Sequence, residues 1–209
     1  MNFMNRFKKN FDSIRMLHTD PASRHALTER LISWLPDTPK EYVVVCIGTD
    51  RSTGDSLGPL VGTFLSELRP RHMTVYGTLH DPVHAMNLVD YMESIKKNHR
   101  NAFIIAIDAS LGKTESVGQV IASEGPLKPG AALNKSLPKV GDINITGVVN
   151  VSGFMEYQVL QNTRLAIVVN MAKNIANVLE HIDKQLTYQA YTPAVLSRLN
   201  RATHLRTLS

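Results

Sequence analysis

The chain has 209 residues, 43% hydrophobic and 20% charged, with a formal charge of +5 at pH 7. That is enough apolar chain for a single domain with a sizeable core, and no apolar run approaches the roughly 20 residues of a membrane-spanning helix. The charge excess lies wholly in the flanks: residues 1–40 and 190–209 carry +3 each, and residues 41–189 carry −1. A basic groove across the central domain is therefore not supported, and neither nucleic acid nor membrane is expected as a partner.

The N-terminal stretch MNFMNRFKKNFDSIRM is positive but lacks the continuous apolar core of a secretory signal. The single cysteine, Cys46, sits in an apolar run. It excludes a disulfide framework, favours a reducing, cytoplasmic location, and reads as a small buried hydrophobe rather than a nucleophile. Residues 2–17 and 22–35 place apolar side chains at helical spacing, and Pro36 and Pro39 end that region. The chain thus reads as one α/β domain, residues 1–209, with helical basic flanks at 1–40 and 190–209. Apolar spacing in residues 2–17 makes a homo-oligomer contact a candidate, with ordinary core packing as the alternative.

The central elements follow in order. EYVVVCIG is β-branched and almost wholly apolar, which suits a strand buried on both faces of a parallel sheet. DSLGPLVGTFLSELR predicts a helix that ends before Pro70. HMTVYGTL is a second strand, VHAMNLVDYMESIKKN a second helix, and NAFIIAIDAS a third strand. SVGQVIASEG predicts another strand. The segment from Ile145 to Leu186 begins irregularly and becomes strongly helical. This alternation predicts a three-layer α/β/α fold with a mainly parallel central sheet.

In such a sheet, ligands bind outside the carboxyl ends of the strands. Gly48 closes the first of the central strands, so residues 49–54 form a loop over that edge. Asp55 follows, positioned to cap the next helix through its carboxylate. Pro59 is tolerated because the first helical turn has N–H groups without partners. Gly58 and Gly62 lie four apart, on one helix face, and permit close approach to the sheet. Asp108 ends the apolar run of the third strand at the same edge. If those two strands are neighbours, Asp55 and Asp108 face each other. Two close carboxylates cannot both ionise freely, so the pair can hold a base and an acid at once, or bind a divalent metal. The bland alternatives are a helix cap and a turn residue. Asp50 is the competing carboxylate of the first loop. His80 and His84, with Asp81, lie in TLHDPVHAMN after the second strand. They have loose ligand-like spacing, but a substrate-binding or capping role fits that loop better than a metal.

IGTDRSTGDSLGP followed by IIAIDAS resembles the spore germination protease, and shares its pattern with the hydrogenase maturation endopeptidases. Residues 40–185 as a whole, including GDINITGVVNVSGFMEYQVLQNTRL, are most similar to the small sporulation protein family called YyaC. The resemblance implies that Asp55 and Asp108 fall on the two catalytic aspartates of the germination protease. It also implies that they match acidic metal-contacting residues of the maturation endopeptidases. Those enzymes use a later histidine as a third ligand. Here no histidine follows Asp108 until His181, and LNKSLPKVGD offers Asn134, Lys135 and Asp142 instead. The resemblance therefore implies an aspartate-only peptidase with no cofactor, acting on a protein or peptide substrate such as the small acid-soluble spore proteins. The compartment implied is the cytoplasm of the sporulating cell or forespore. PGAALNKS resembles a loop of the germination protease, which would place Asn134 and Lys135 against substrate; a solvated loop lysine is the alternative. A protease-fold protein acting as a binding or regulatory partner is the competing reading of the whole chain.

Overall fold

A computed structural model describes residues 11–38, 40–130 and 137–206, with side chains described through residue 186. The elements in chain order are β1 (Ser13–Leu17), α1 (Ser23–Ser33), β2 (Tyr42–Cys46), α2 (Leu57–Glu67), β3 (Met73–Tyr76) and α3 (Leu88–Asn98). They continue with β4 (Phe103–Gly112), β5 (Gln119–Glu124), β6 (Ile143–Val151), α4 (Glu156–Gln161) and α5 (Leu165–Arg206). One six-stranded sheet has the order β1-β5-β6-β4-β2-β3. Strands β6, β4, β2 and β3 are parallel, and β5 is antiparallel to both β6 and β1. The fold is the expected α/β sandwich of a mainly parallel sheet between helices.

The strongest sequence signals form the centre. All five side chains of β2 are buried. Val44 and Cys46 face the core shared with α1, α2 and α5, whereas Val43 and Val45 face the core under α3. Complete burial of a valine contributes roughly 1.5–3 kcal/mol relative to exposure, and a strand covered on both faces gathers that from every residue. Cys46 is completely buried, and burial pushes its thiol well up, as a core residue and not a nucleophile. The helix–sheet contact depends on glycine. A Cβ on Gly58 would lie 2.0 Å from Ile47 O, and one on Gly62 would lie 1.9 Å from Gly77 O. Asp183 of α5, 4% exposed, accepts from the backbone N–H groups of Arg71 (2.9 Å) and His72 (2.7 Å) and pins the turn into β3.

Two expectations need correction. Residues 13–17 form an edge strand and residues 11–12 no regular element, so neither is part of a helix; residues 2–10 of that helical reading lie outside the described residues. In β1, exposed and half-buried residues alternate with period two, because one face rests on α1 while the other meets solvent. The segment read as irregular from Ile145 contains all of β6 but its first two residues, and that strand sits between β4 and β5. Asn144, Thr146, Gly147 and Asn150 disguise it. Asn144 is tolerated because its buried amide donates to Gly125 O at 2.9 Å.

Candidate active site

Two aspartates come together where β2 ends and β4 continues. The β2–β4 ladder stops with Cys46 opposite Ile107, and Ile47 N–H still donates to Ile107 O at 2.7 Å. Beyond that point β4 runs on, paired only with β6, and Asp108 stands opposite Thr146. Asp108 therefore lies within β4, not at its end as the sequence suggested. The edge is made by β2 turning away. Gly48 makes that turn, with φ +150°, and its N–H donates to Val83 O at 2.8 Å. A Cβ there would lie 2.0 Å from Asp55 O, so the Asp55 backbone folds directly onto the glycine. Asp108 shares its strand face with Ile104 and Ala106, on the α3 side.

Asp55 does not cap α2. Ser56 holds the N-cap position, and no side chain caps that helix. The Asp55 carboxylate is thereby left to the cleft. Two cavities adjoin there. The first, about 380 Å³, is lined by residues that include Asp50, Arg51, Asp55, His84 and Asp108. The second, about 330 Å³, is lined by residues that include Asp55, Asp108, Ser110, Lys128 and Glu156. The aspartate pair lines both and stands at their junction.

The electrostatics separate the two groups. Asp108 keeps partial solvent contact, yet its carboxyl is crowded by protein atoms and pushed up to about 8. Burial is the main cause, and the charge of Asp55 adds to it. The Ala109 N–H, which donates to Asp108 Oδ1 at 2.8 Å, opposes both. Asp55 is also raised by burial and partly lowered by the nearby Ser52 hydroxyl. That hydroxyl, on a residue 4% exposed, still makes no hydrogen bond of ordinary geometry. Near neutral pH the arrangement holds one protonated carboxyl, Asp108, beside a second that ionises more readily.

The other sequence candidates divide. Asp50 is exposed at the mouth of the first cavity. His84 lines that cavity. Its Nδ1 accepts from Met86 N–H at 3.2 Å, which leaves Nε2 as the ring's donor. His80 is exposed and lines neither cavity. Asp81 accepts from the Tyr91 hydroxyl at 2.5 Å. Among the described residues no three His, Cys, Asp or Glu side chains converge to hold a metal ion. The His80–Asp81–His84 spacing thus does not become a ligand set. His181 lies beside β1 and α1, in a separate cavity, and supplies no third ligand to the aspartates. A metal held as in the maturation endopeptidases does not fit these residues. Asp142 sits at the opposite edge of the sheet, where its Oδ2 accepts from Ile104 N–H at 2.8 Å. Asn134 and Lys135 lie outside the described residues, between Gly130 and Leu137, both of which line the first cavity. Sequence reasoning missed Arg51, Ser52, Lys128 and Glu156. Arg51 and Ser52 were within reach, since they occupy the same glycine-rich loop as Asp50. Lys128 and Glu156 carry no local signal.

A family model described as "Protein of unknown function (DUF1256)" matches residues 15–178. The chain belongs to the DUF1256 family. Among curated proteins it is 55% identical, over 168 residues, to "Uncharacterized protein YyaC" of Bacillus subtilis (strain 168), covering 80% of this chain and 82% of that one. The expected YyaC kinship is thus shown. Among solved structures, the [NiFe] hydrogenase maturation protease HycI from Thermococcus kodakarensis KOD1 aligns with a TM-score of 0.49 and 16% identity. That alignment covers 76% of this chain and 99% of the other. For this DUF1256 member, no helix among the described residues is long and apolar enough to cross a membrane.

Proposed function

We propose that this DUF1256 protein is a peptidase that uses Asp55 and Asp108 as a coupled base and acid. One observation carries the reading: two carboxyls, one ionised more readily than the other, stand together at the junction of two cleft cavities. In the reaction, the Asp55 carboxylate takes a proton from water, and the water oxygen attacks the scissile carbonyl carbon. Asp108 donates its proton to the carbonyl oxygen, and a proton then passes to the leaving amine as the C–N bond breaks. Cavities on both sides of the pair leave room for chain on both sides of the scissile bond. His84 Nε2–H and Arg51 line the first cavity and can donate to substrate carbonyls. The substrate class proposed is a protein of the sporulating cell, with small acid-soluble spore proteins as the first probe.

The test is incubation of the purified protein with those substrates beside Asp55→Asn and Asp108→Asn. Cleavage lost in both variants is expected. Cleavage that survives both would sink the mechanism. A second reading, a protein-binding partner with an inactive cleft, is favoured by the apolar side chains exposed beside the second cavity. Phe154 is 98% exposed, Met155 59% and Tyr157 55%. Stoichiometric recovery of one uncleaved partner from sporulating cells, with every substrate left intact, would put that reading first.

A further inference from the structure

β4 outruns its neighbour beside the aspartates. It pairs with β2 only as far as Ile107 and continues to Gly112, held from there on by β6 alone. Ile47 bridges to Val83, and Gly48 N–H donates to Val83 O, so the chain leaves β2 toward the β3 side. The neighbouring-strand position beside residues 108–112 is thus left open. The edge from Asp108 to Gly112 is about 16 Å long. The second cleft cavity, about 330 Å³, lies along it.

Alternation along the strand decides which backbone groups face that opening. Phe103 N–H donates to Glu41 O at 2.8 Å, and Ile107 O accepts from Ile47 N–H at 2.7 Å, so odd-numbered residues of β4 present their backbone to the β2 side. Ile104 O accepts from Asp142 N–H and Gly112 O from Ser152 N–H, both at 2.7 Å, so even-numbered residues face β6. Ala109 and Leu111 therefore turn their backbone groups to the opening. Ala109 N–H is taken by Asp108 Oδ1 at 2.8 Å. Ala109 O, Leu111 N–H and Leu111 O make no hydrogen bond among the described residues. Both residues are half-buried, and the edge sequence Ala-Ser-Leu-Gly has neither the proline nor the charge that commonly blunts a strand edge.

The cavity reaches both faces of the sheet at this edge. Leu127 and Thr146 stand on the α3 side with Asp108, and Leu160 stands on the side of α2 and α5 with Ala109 and Leu111. Asp55 and Asp108 mark one end of the opening. The turn after β6, tied to Gly112 through Ser152 N–H, marks the other. Unpaired donors and acceptors at strand spacing are complementary to another extended backbone.

We propose that this edge takes an extended polypeptide segment as an added strand, which donates to Ala109 O and Leu111 O and accepts from Leu111 N–H. Neighbouring strands lie about 4.8 Å apart, so the added backbone runs directly past the aspartates. Its side chains alternate between the two faces of the cavity. The ligand class is an unfolded stretch of protein; a folded chain, whose backbone is already paired, is excluded. As a mode of substrate binding the proposal rests on the peptidase reading, and as a binding site it stands without it.

The test is an NMR titration of ¹⁵N-labelled full-length Asp55→Asn with reduced, carbamidomethylated ribonuclease A, an unfolded chain. Native ribonuclease A, the same sequence folded, and poly-L-proline, an extended chain without N–H groups, are the controls. Saturable shifts are expected with the unfolded chain only, the Leu111 amide proton moving downfield as it gains an acceptor. Leu111→Pro loses an N–H that serves no bond to β6, and should weaken binding about tenfold or more. Leu111→Ala keeps that N–H and should weaken it less than about threefold. No saturable shift, equally tight binding of either control, Leu111→Pro binding like its parent, or equal weakening by the two substitutions would each overturn the proposal. Should Leu111→Pro fail to fold, the three probes and the Leu111 amide shift decide it. Wild type is assayed for cleavage of the same unfolded chain. Binding without cleavage removes the peptidase reading alone, and cleavage without binding at this edge removes the added strand alone.

Discussion

Replacing Asp108 by asparagine isolates the energetic cost of the aspartate pair. Asn keeps the acceptor for Ala109 N–H at Asp108 Oδ1, so local geometry is retained while the titration is removed. In the folded protein Asp108 is raised from 3.8 to about 8. A carboxyl raised on folding contributes stability that is fully present below its unfolded pKa and is lost as pH rises through its folded pKa. The window is therefore pH 4 to 8, with stability falling as pH rises. Each unit is worth about 1.4 kcal/mol, so the loss between pH 5 and pH 8 has a ceiling of about 4 kcal/mol. Partial solvent contact at Asp108 screens the group, and about half that ceiling, roughly 2 kcal/mol, is the expected loss. Urea unfolding of wild type and Asp108→Asn at pH 5, 6.5 and 8 measures it. The wild type should lose about 2 kcal/mol more than the variant across that range, with the variant the more stable of the two at pH 8. Parallel stability curves would show that Asp108 titrates as an ordinary exposed carboxyl, and the acid role assigned to it would fail.

Asp55→Asn should lower the Asp108 titration midpoint, read by ¹³C NMR of the carboxyl, but only partly, since burial outweighs the Asp55 charge. If the peptidase reading holds, kcat/KM should fall on the alkaline side near pH 8 as Asp108 loses its proton, and on the acid side as Asp55 gains one. Gly58→Ala should cost about 3 kcal/mol or more in thermal unfolding, because its Cβ would meet Ile47 O, a backbone atom that cannot rotate away. Phe154→Ala should change stability by less than about 0.5 kcal/mol, since the side chain is 98% exposed. A markedly weaker interaction of that variant with polypeptide would mark the patch as a contact surface.

The central strands, the helices between them and the two aspartates were legible in the amino-acid order, because local physics specifies them. YVVVC and FIIAI are short, apolar and largely β-branched, the pattern of strands covered on both faces, and the glycine after the first marks its end. Gly58 and Gly62 signal close helix–sheet contact by their spacing alone. β1 and β6 were not legible. Ser13–Leu17 continues a helix-like apolar period, and only pairing with β5 makes it a strand. Ile143–Val151 carries asparagines whose partners lie outside the strand: Gly125 O for Asn144, and Val159 O with Thr163 Oγ1 for Asn150. Whether Asp55 caps a helix or faces a cleft was likewise undecided locally: both uses need an aspartate at the start of a helix. Tertiary structure decided it, because β2 turns away at Gly48 while β4 runs on beside β6. The two carboxyls then share one partly desolvated space, and their coupled titration belongs to the fold and to neither residue alone.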